Sequence, residues 1–179
     1  PIDPSQTAGE LHDRLAQDGP ELVRGVLEAQ RSGTLQPRAQ DPALVTKAPK
    51  MSKADGWIDL DRPADEARRR VHGLHPWPGV TVTFRDQPLK LHRVGVVDAP
   101  ANSADAPPGA LIDATRGIVR CGPADAPAAL QLLEVQPAGK RAMAWGEFAA
   151  GARPRAGEAI ACVRPALASG DRDPKGGTR

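Results

Sequence analysis

The sequence predicts a mainly β fold: a small antiparallel β-barrel preceded by helices and an extended linker. Three observations carry this. Apolar residues recur at helical spacing over residues 1–33, turn-forming residues without periodicity fill 34–62, and from Val80 onward the apolar period falls to two. A chain of 179 residues has room for one ordinary domain and an additional piece.

Thr7-Ala8-Gly9-Glu10 has the spacing of a capping box, in which a hydroxyl takes the N–H of the third helical residue and that residue's carboxylate reaches back to the cap. Leu11, Leu15, Leu22, Val23, Val26 and Leu27 form the apolar side of the helical region, and Gly33 is placed to stop it. Gly19-Pro20 interrupts the run, which predicts two short helices or one kinked helix. This unit has too little mass to fold alone, so its apolar stripe implies a partner surface. Pro37, Pro42, Pro49 and Gly56 make the next stretch extended. Lys47, Lys50 and Lys53, three residues apart, give it a positive strip.

Pro63, followed by Asp65 and Glu66, opens a helix that runs to about His75. Ala67, Val71 and Leu74 are its apolar side, and Arg68, Arg69 and Arg70 are expected to face solvent or a phosphate backbone. His75-Pro76-Trp77-Pro78-Gly79 ends it, with Trp77 expected as a packing anchor. Val80 to Phe84 alternates as a strand, Arg85-Asp86-Gln87 turns, and Leu89 to Val97 is a second strand. After a polar Ala/Pro-rich loop, Ala110 to Ala114 and Ile118 to Cys121 are short strands around Thr115-Arg116-Gly117. Ala129 to Val135 is another strand and Trp145 to Ala150 a short helix. Residues 165–179 read as a disordered tail. Short antiparallel strands joined by hairpin turns fit a small barrel of the oligonucleotide-binding (OB-like) type.

Aromatic residues are only 3% and Tyr is absent, which disfavours an open sheet that reads single strands by stacking on aromatics. The net charge of +2 decides nothing, but its distribution is informative. Residues 47–100 carry a net +3 and residues 135–179 a net +4, with a net −2 between them. A fold that joins the two blocks makes one basic face suited to a polyanion. Cys121 and Cys162 lack metal-ligand spacing and read as idle thiols. His12, His72, His75 and His92 are expected to be structural or solvent-facing, with His72 on the polar side of its helix. No apolar run approaches the ~20 residues of a membrane span, and no secretory signal is visible, so a cytoplasmic protein without a membrane partner is expected.

Three segments occur in order: Ala48-Pro49-Lys50-Met51-Ser52-Lys53-Ala54-Asp55-Gly56-Trp57-Ile58-Asp59, then His75 to Gly79, then Gln136-Pro137-Ala138-Gly139-Lys140-Arg141-Ala142-Met143. The ordered set resembles the methionyl-tRNA formyltransferase family, whose inter-domain linker has a Lys-Leu-Ser-Lys core and whose turn reads Asn-Pro-Trp-Pro-Gly. Weaker matches flank it at Thr7 to Asp13 and at Gly157-Glu158, so the likeness runs from about residue 1 to about residue 164. Lys47, Met51, Leu60 and His75 depart from the family's usual Tyr, Leu, Trp and Asn.

The resemblance implies that residues 1–37 are the last helices of a catalytic domain, 38–62 a basic linker and 63–164 the C-terminal barrel domain. It implies formyl transfer from formyl-tetrahydrofolate to the amino group of methionyl initiator tRNA. The family's catalytic Asn, His and Asp and its folate-binding loop belong to a doubly wound N-terminal domain that this chain does not contain. No catalytic, cofactor-binding or metal residue is therefore expected here. The chain is expected to be monomeric and inactive alone, and to partner that catalytic domain. It is expected to hold tRNA through Lys47, Lys50, Lys53, Lys90, Lys140 and Arg141. Two other readings stay open: the corresponding domain of a different folate-dependent formyltransferase, and a structural module that touches no nucleic acid.

Overall fold

A computed structural model describes residues 1–101, 103–123 and 126–162. The expected tail, 165–179, lies outside the described residues. The architecture is mainly antiparallel sheet with helices before it, as expected.

Helix α1 spans Ala8–Ser32. The capping box is formed: Glu10 N–H donates to Thr7 Oγ1 at 3.3 Å and Thr7 N–H to Glu10 Oε2 at 2.9 Å. Gly33 closes the helix in the left-handed region, φ 69°. Of the two expectations at Gly19-Pro20, two short helices are not formed, and one helix runs through Pro20. Proline costs a backbone bond and crowds the Cβ of the residue before it, and Gly19 has no Cβ to crowd. No residue of α1 is buried, and Leu15, Leu22, Val23, Val26 and Leu27 are all more than half exposed.

The segment that follows is exposed through Lys50, with a single 3-10 turn at Pro42–Leu44. A second turn, Lys53–Asp55, is capped by Ser52, whose N–H donates to Asp55 Oδ2 at 2.7 Å. Beyond it the chain joins the body: Ile58 and Leu60, inside the span expected as linker, are core residues. Helix α2, Ala64–Gly73, lays Ala64, Ala67, Val71 and His72 against the sheet.

The strands are β1 (Val80–Phe84), β2 (Gln87–Asp98), β3 (Leu111–Asp113), β4 (Ile118–Val119), β5 (Ala128–Pro137), β6 (Met143–Ala144) and β7 (Ile160–Ala161). They pair antiparallel in the order β3-β4-β5-β2-β1-β7, with β6 beside β5. The sheet is not closed by a continuous ladder. Its two ends meet at one isolated bridge, Ala110 to Ala159, flanked by Leu111 N–H to Glu158 O at 2.7 Å and Ile160 N–H to Gly109 O at 2.9 Å. In β1, Val80, Val82 and Phe84 face the core while Thr81 is exposed, the pattern the alternation predicts. Arg85 and Asp86 both have positive φ, 49° and 60°, as a tight two-residue hairpin turn requires. Helix α3, Trp145–Ala152, inserts Trp145 into the core, where its Nε1–H donates to Ala114 O at 2.9 Å.

β2 carries an irregularity between Leu91 and Val94 that takes Val94 N–H out of the ladder. His72 meets it. Its Nε2 accepts from Val94 N–H at 3.2 Å, and its Nδ1 lies 3.2 Å from Pro4 O, which fixes the Nδ1–H tautomer. His72 is thus buried in the packing between α2 and β2, contrary to the polar-side expectation, and burial lowers its pKa from 6.5. The arginine run is also corrected. Arg68 pairs with Asp65 at 2.6 Å and bonds Pro4 O, while Arg70 donates to Asp55 O at 2.8 Å and lies over the Trp57 ring at 4.6 Å. These two fasten the N-terminal segment and the linker to α2, and only Arg69 keeps a largely exposed guanidinium, itself paired to Asp65.

Candidate nucleic-acid interface

Two glycines bring the basic segments together. Gly79, at φ 76°, ends the Pro-Trp-Pro turn, and a side chain there would meet Lys90 Cε at 2.3 Å. Gly56, just after the Lys53–Asp55 turn, packs so tightly on Gly79 O that a Cβ would lie 2.4 Å from it. Gly56 O also accepts from Thr81 N–H at 3.3 Å. The turn that carries Lys53 therefore sits on the turn that supports Lys90. Lys90 Nζ is 3.4 Å from Pro76 O.

Lys90 stands opposite Gln136 in the β2–β5 ladder, so the two share one face of the sheet. Gln136 Nε2–H donates to Lys140 O at 2.8 Å, and Lys140 N–H to Pro137 O at 3.0 Å, which folds the Pro-Ala-Gly-Lys segment back onto Gln136. Lys53, Lys90 and Lys140 thus lie on segments in continuous contact. One comes from the linker, one from the sheet and one from the loop after β5.

The remaining candidates lie elsewhere. Lys47 and Lys50 are on the exposed segment ahead of this junction. Arg141 is exposed beside Lys140, but its guanidinium is engaged by Glu147, so its charge is partly offset.

A histidine pair underlies the path. His92 Nε2 is 2.9 Å from Gln136 Oε1, and His75 Nε2 is 3.1 Å from His92 Nδ1. With the amide of Gln136 donating to Lys140 O, its oxygen accepts from His92 Nε2–H, and His92 Nδ1 then accepts from His75 Nε2–H. His75 Nδ1 is left buried without a partner among the described residues. Burial, with His92, Lys90 and Arg93 nearby, lowers the His75 pKa from 6.5. The pair has the geometry of a support: it fastens the Pro-Trp-Pro turn through Gln136 to the loop of Lys140.

Sequence reasoning missed one residue at this junction. Trp77, expected as a packing anchor, is 51% exposed. Trp145 is the indole that anchors the core, at 3% exposure, and Trp57 is covered by Arg70. No helix is long and apolar enough to cross a membrane, and no three His, Cys, Asp or Glu side chains cluster as metal ligands, both among the described residues. Burial raises both thiols, Cys121 to about 12, so neither is a reactive thiolate.

Comparison with known proteins adds a family. Over 162 residues the chain is 38% identical to "Methionyl-tRNA formyltransferase" of Acidithiobacillus ferrooxidans, covering 89% of this chain and 50% of that protein. It is 40% identical over 152 residues to the protein of that name from Solibacter usitatus, covering 85% and 47%. The chain spans about half the length of the curated relatives it matches. Among solved structures it is similar to HypX from Aquifex aeolicus. A variant of that protein gives TM-score 0.56 at 16% identity, covering 84% of this chain and 27% of HypX. Its complex with tetrahydrofolic acid gives 0.55 at 16%, covering 83% and 26%. At that identity the likeness is one of fold. The family described as "Formyl transferase, C-terminal domain" matches residues 50–153, and the chain belongs to it.

Proposed function

We propose that this chain is the tRNA-holding, C-terminal part of a methionyl-tRNA formyltransferase. That enzyme moves a formyl group from formyl-tetrahydrofolate to the amino group of methionyl initiator tRNA, in the cytoplasm, at the start of translation. The observation that carries the reading is the junction at Gly56 and Gly79, which brings the turn of Lys53 onto that of Lys90, with the loop of Lys140 tied to the same face through Gln136. The relatives' name supports the choice of RNA as the polyanion.

In this reading residues 1–37 close the catalytic domain, 38–62 link it, 63–164 form the C-terminal domain and 165–179 are a tail. The amine of methionyl-tRNA attacks the formyl carbon in the catalytic half, which also holds the folate. This chain supplies orientation, which converts a bimolecular encounter into a positioned one. Lys47 and Lys50 lead the RNA toward the junction, Lys53, Lys90 and Lys140 hold it by phosphate contacts, and Arg141 adds a weaker contact. Such contacts position a nucleic acid without reading its sequence. The chain acts as a monomer beside its catalytic domain.

Filter binding of initiator tRNA across a salt series tests this. The chain binds weakly, and affinity falls as salt rises. Charge reversal at Lys53, Lys90 or Lys140 lowers the slope of log affinity on log salt by about one phosphate's worth, roughly 0.7–0.9. Binding that ignores salt, or that all three reversals leave unchanged, refutes the assignment. The same reversals would leave a module that touches no nucleic acid unaffected.

A further inference from the structure

We propose that Trp77 is a stacking platform for one unpaired nucleobase of the RNA held along Lys53, Lys90 and Lys140, an inference that rests on the function proposed above. The indole is half exposed and takes no part in the core, although it sits on a short turn whose ends are firmly fixed. Gly79 N–H donates to Leu74 O at 2.9 Å, Gly9 N–H donates to His75 O at 3.0 Å, and Pro76 O faces the Lys90 ammonium at 3.4 Å. Pro76 and Pro78 lie on either side of Trp77, and proline fixes φ, so little backbone freedom is lost when the ring is used. The turn has no carboxylate in residues 75–79 to repel an approaching phosphate.

The chemistry follows from that placement. An exposed aromatic face beside a cation offers stacking to a base and a contact to its phosphate at the same point. A side chain on a turn cannot enter the deep, narrow major groove of an RNA duplex, whereas an unpaired base presents its whole face. One platform reads the presence of an unpaired base and not its identity, because every base has a π face. This differs from the phosphate contacts in one measurable respect: stacking releases no counterions, so its contribution is independent of salt.

The test compares wild type, Trp77→Ala, Trp77→Phe and Lys90→Ala in the 179-residue chain, by filter binding of initiator tRNA at several salt concentrations. Thermal melting followed by circular dichroism reports on folding. Trp77→Ala weakens binding about tenfold, the size of one base–aromatic stack, at every salt concentration and without changing the slope. Trp77→Phe retains most of the affinity, and Lys90→Ala lowers the slope instead. A short unpaired oligonucleotide feels the loss of Trp77, and a blunt RNA duplex does not. Trp77→Ala binding as tightly as wild type overturns the proposal. So does an equal loss for duplex and unpaired RNA, or a loss shared equally by Trp77→Phe. If wild type binds no RNA, the function proposed above fails together with this inference. If wild type binds and Trp77→Ala binds equally, only this inference fails.

Discussion

Replacing Gly56 with Ala tests the junction directly. Gly56 has a negative φ, −76°, so the substitution does not force a side chain into the left-handed region. Its cost comes from contact. The added Cβ would lie 2.4 Å from Gly79 O, whereas ordinary contact begins near 3.4 Å. The obstruction is backbone and cannot rotate away, so the two turns must separate by about 1 Å, a forced overpacking that costs about 1–3 kcal/mol. The Thr81 N–H to Gly56 O bond at 3.3 Å is lengthened or lost, worth about 0.5–1.5 kcal/mol. Loss of unfolded-chain freedom returns about 0.4–1 kcal/mol. The net expectation is destabilisation of about 2 kcal/mol, read as a lower urea midpoint with unchanged slope. Gly146→Ala in α3 is the control, because nothing lies within 4 Å of a Cβ there, and it is expected to be neutral or slightly stabilising. In tRNA binding, Gly56→Ala separates Lys53 from Lys90 and lowers the salt slope even where folding is complete. A Gly56→Ala chain within about 0.5 kcal/mol of wild type, with the wild-type slope, would refute the idea that this close approach organises the basic path.

Two further predictions concern pH. The pKa of His72 is held below 6.5, chiefly by burial, so the unfolded chain takes up a proton that the folded chain refuses. Its stabilisation is complete above pH 6.5 and is lost as pH falls below it; His75 has the same sign. Urea unfolding at pH 7.5 and 5.5 should therefore show lower stability at the acid value, and Val94 N–H, corrected for its intrinsic exchange rate, should be less protected there; equal stability at both refutes the account. Glu158 shows the carboxylate pattern. Arg85 grips it with two bonds of 2.8 Å and pulls its pKa to about 2 from 4.5. Its contribution is present above pH 4.5 and fades as pH falls toward 2, so Glu158→Gln should lower the melting temperature at neutral pH and match wild type near pH 2. A constant difference across that range would place the effect elsewhere.

The elements with local causes were legible in the sequence. The Thr7/Glu10 cap, the alternation of Val80, Val82 and Phe84 and the Gly33 stop each depend on neighbours within four residues, and all are present. What depends on distant neighbours was not legible. The two-residue strands β6 and β7 are too short to show a period, and they exist because β5 and β1 offer them edges. Arg68 and Arg70 read as free cations until Pro4, Asp55 and Trp57 are seen to approach them. The exposure of Trp77 reflects which segments fail to cover it, and a sequence does not show that. The resemblance nominated Lys53, Lys90 and Lys140, but what brings the turn of Lys53 onto that of Lys90 is two missing side chains, at Gly56 and Gly79, and Lys140 is reached through Gln136.

Among the described residues, the hydrogen bonds that hold helix α1 to the body lie at its foot. There Gly9 N–H meets His75 O, and Arg93 bonds Glu10 and Ser5 O. A helix of 25 residues is roughly 37 Å long, so it acts as a lever: a tilt of about 10° at the foot carries the far end through roughly 6 Å. The chain must then travel back from that far end to Gly56. At about 3.4 Å per extended residue, some 11 residues would cover the distance, and residues 34–52 provide nearly twice that. The return segment has slack to spare, so it tethers the tip of the lever without dictating its angle. The aim of the Leu22–Leu27 face is set by the few bonds around Thr7, Gly9 and Glu10.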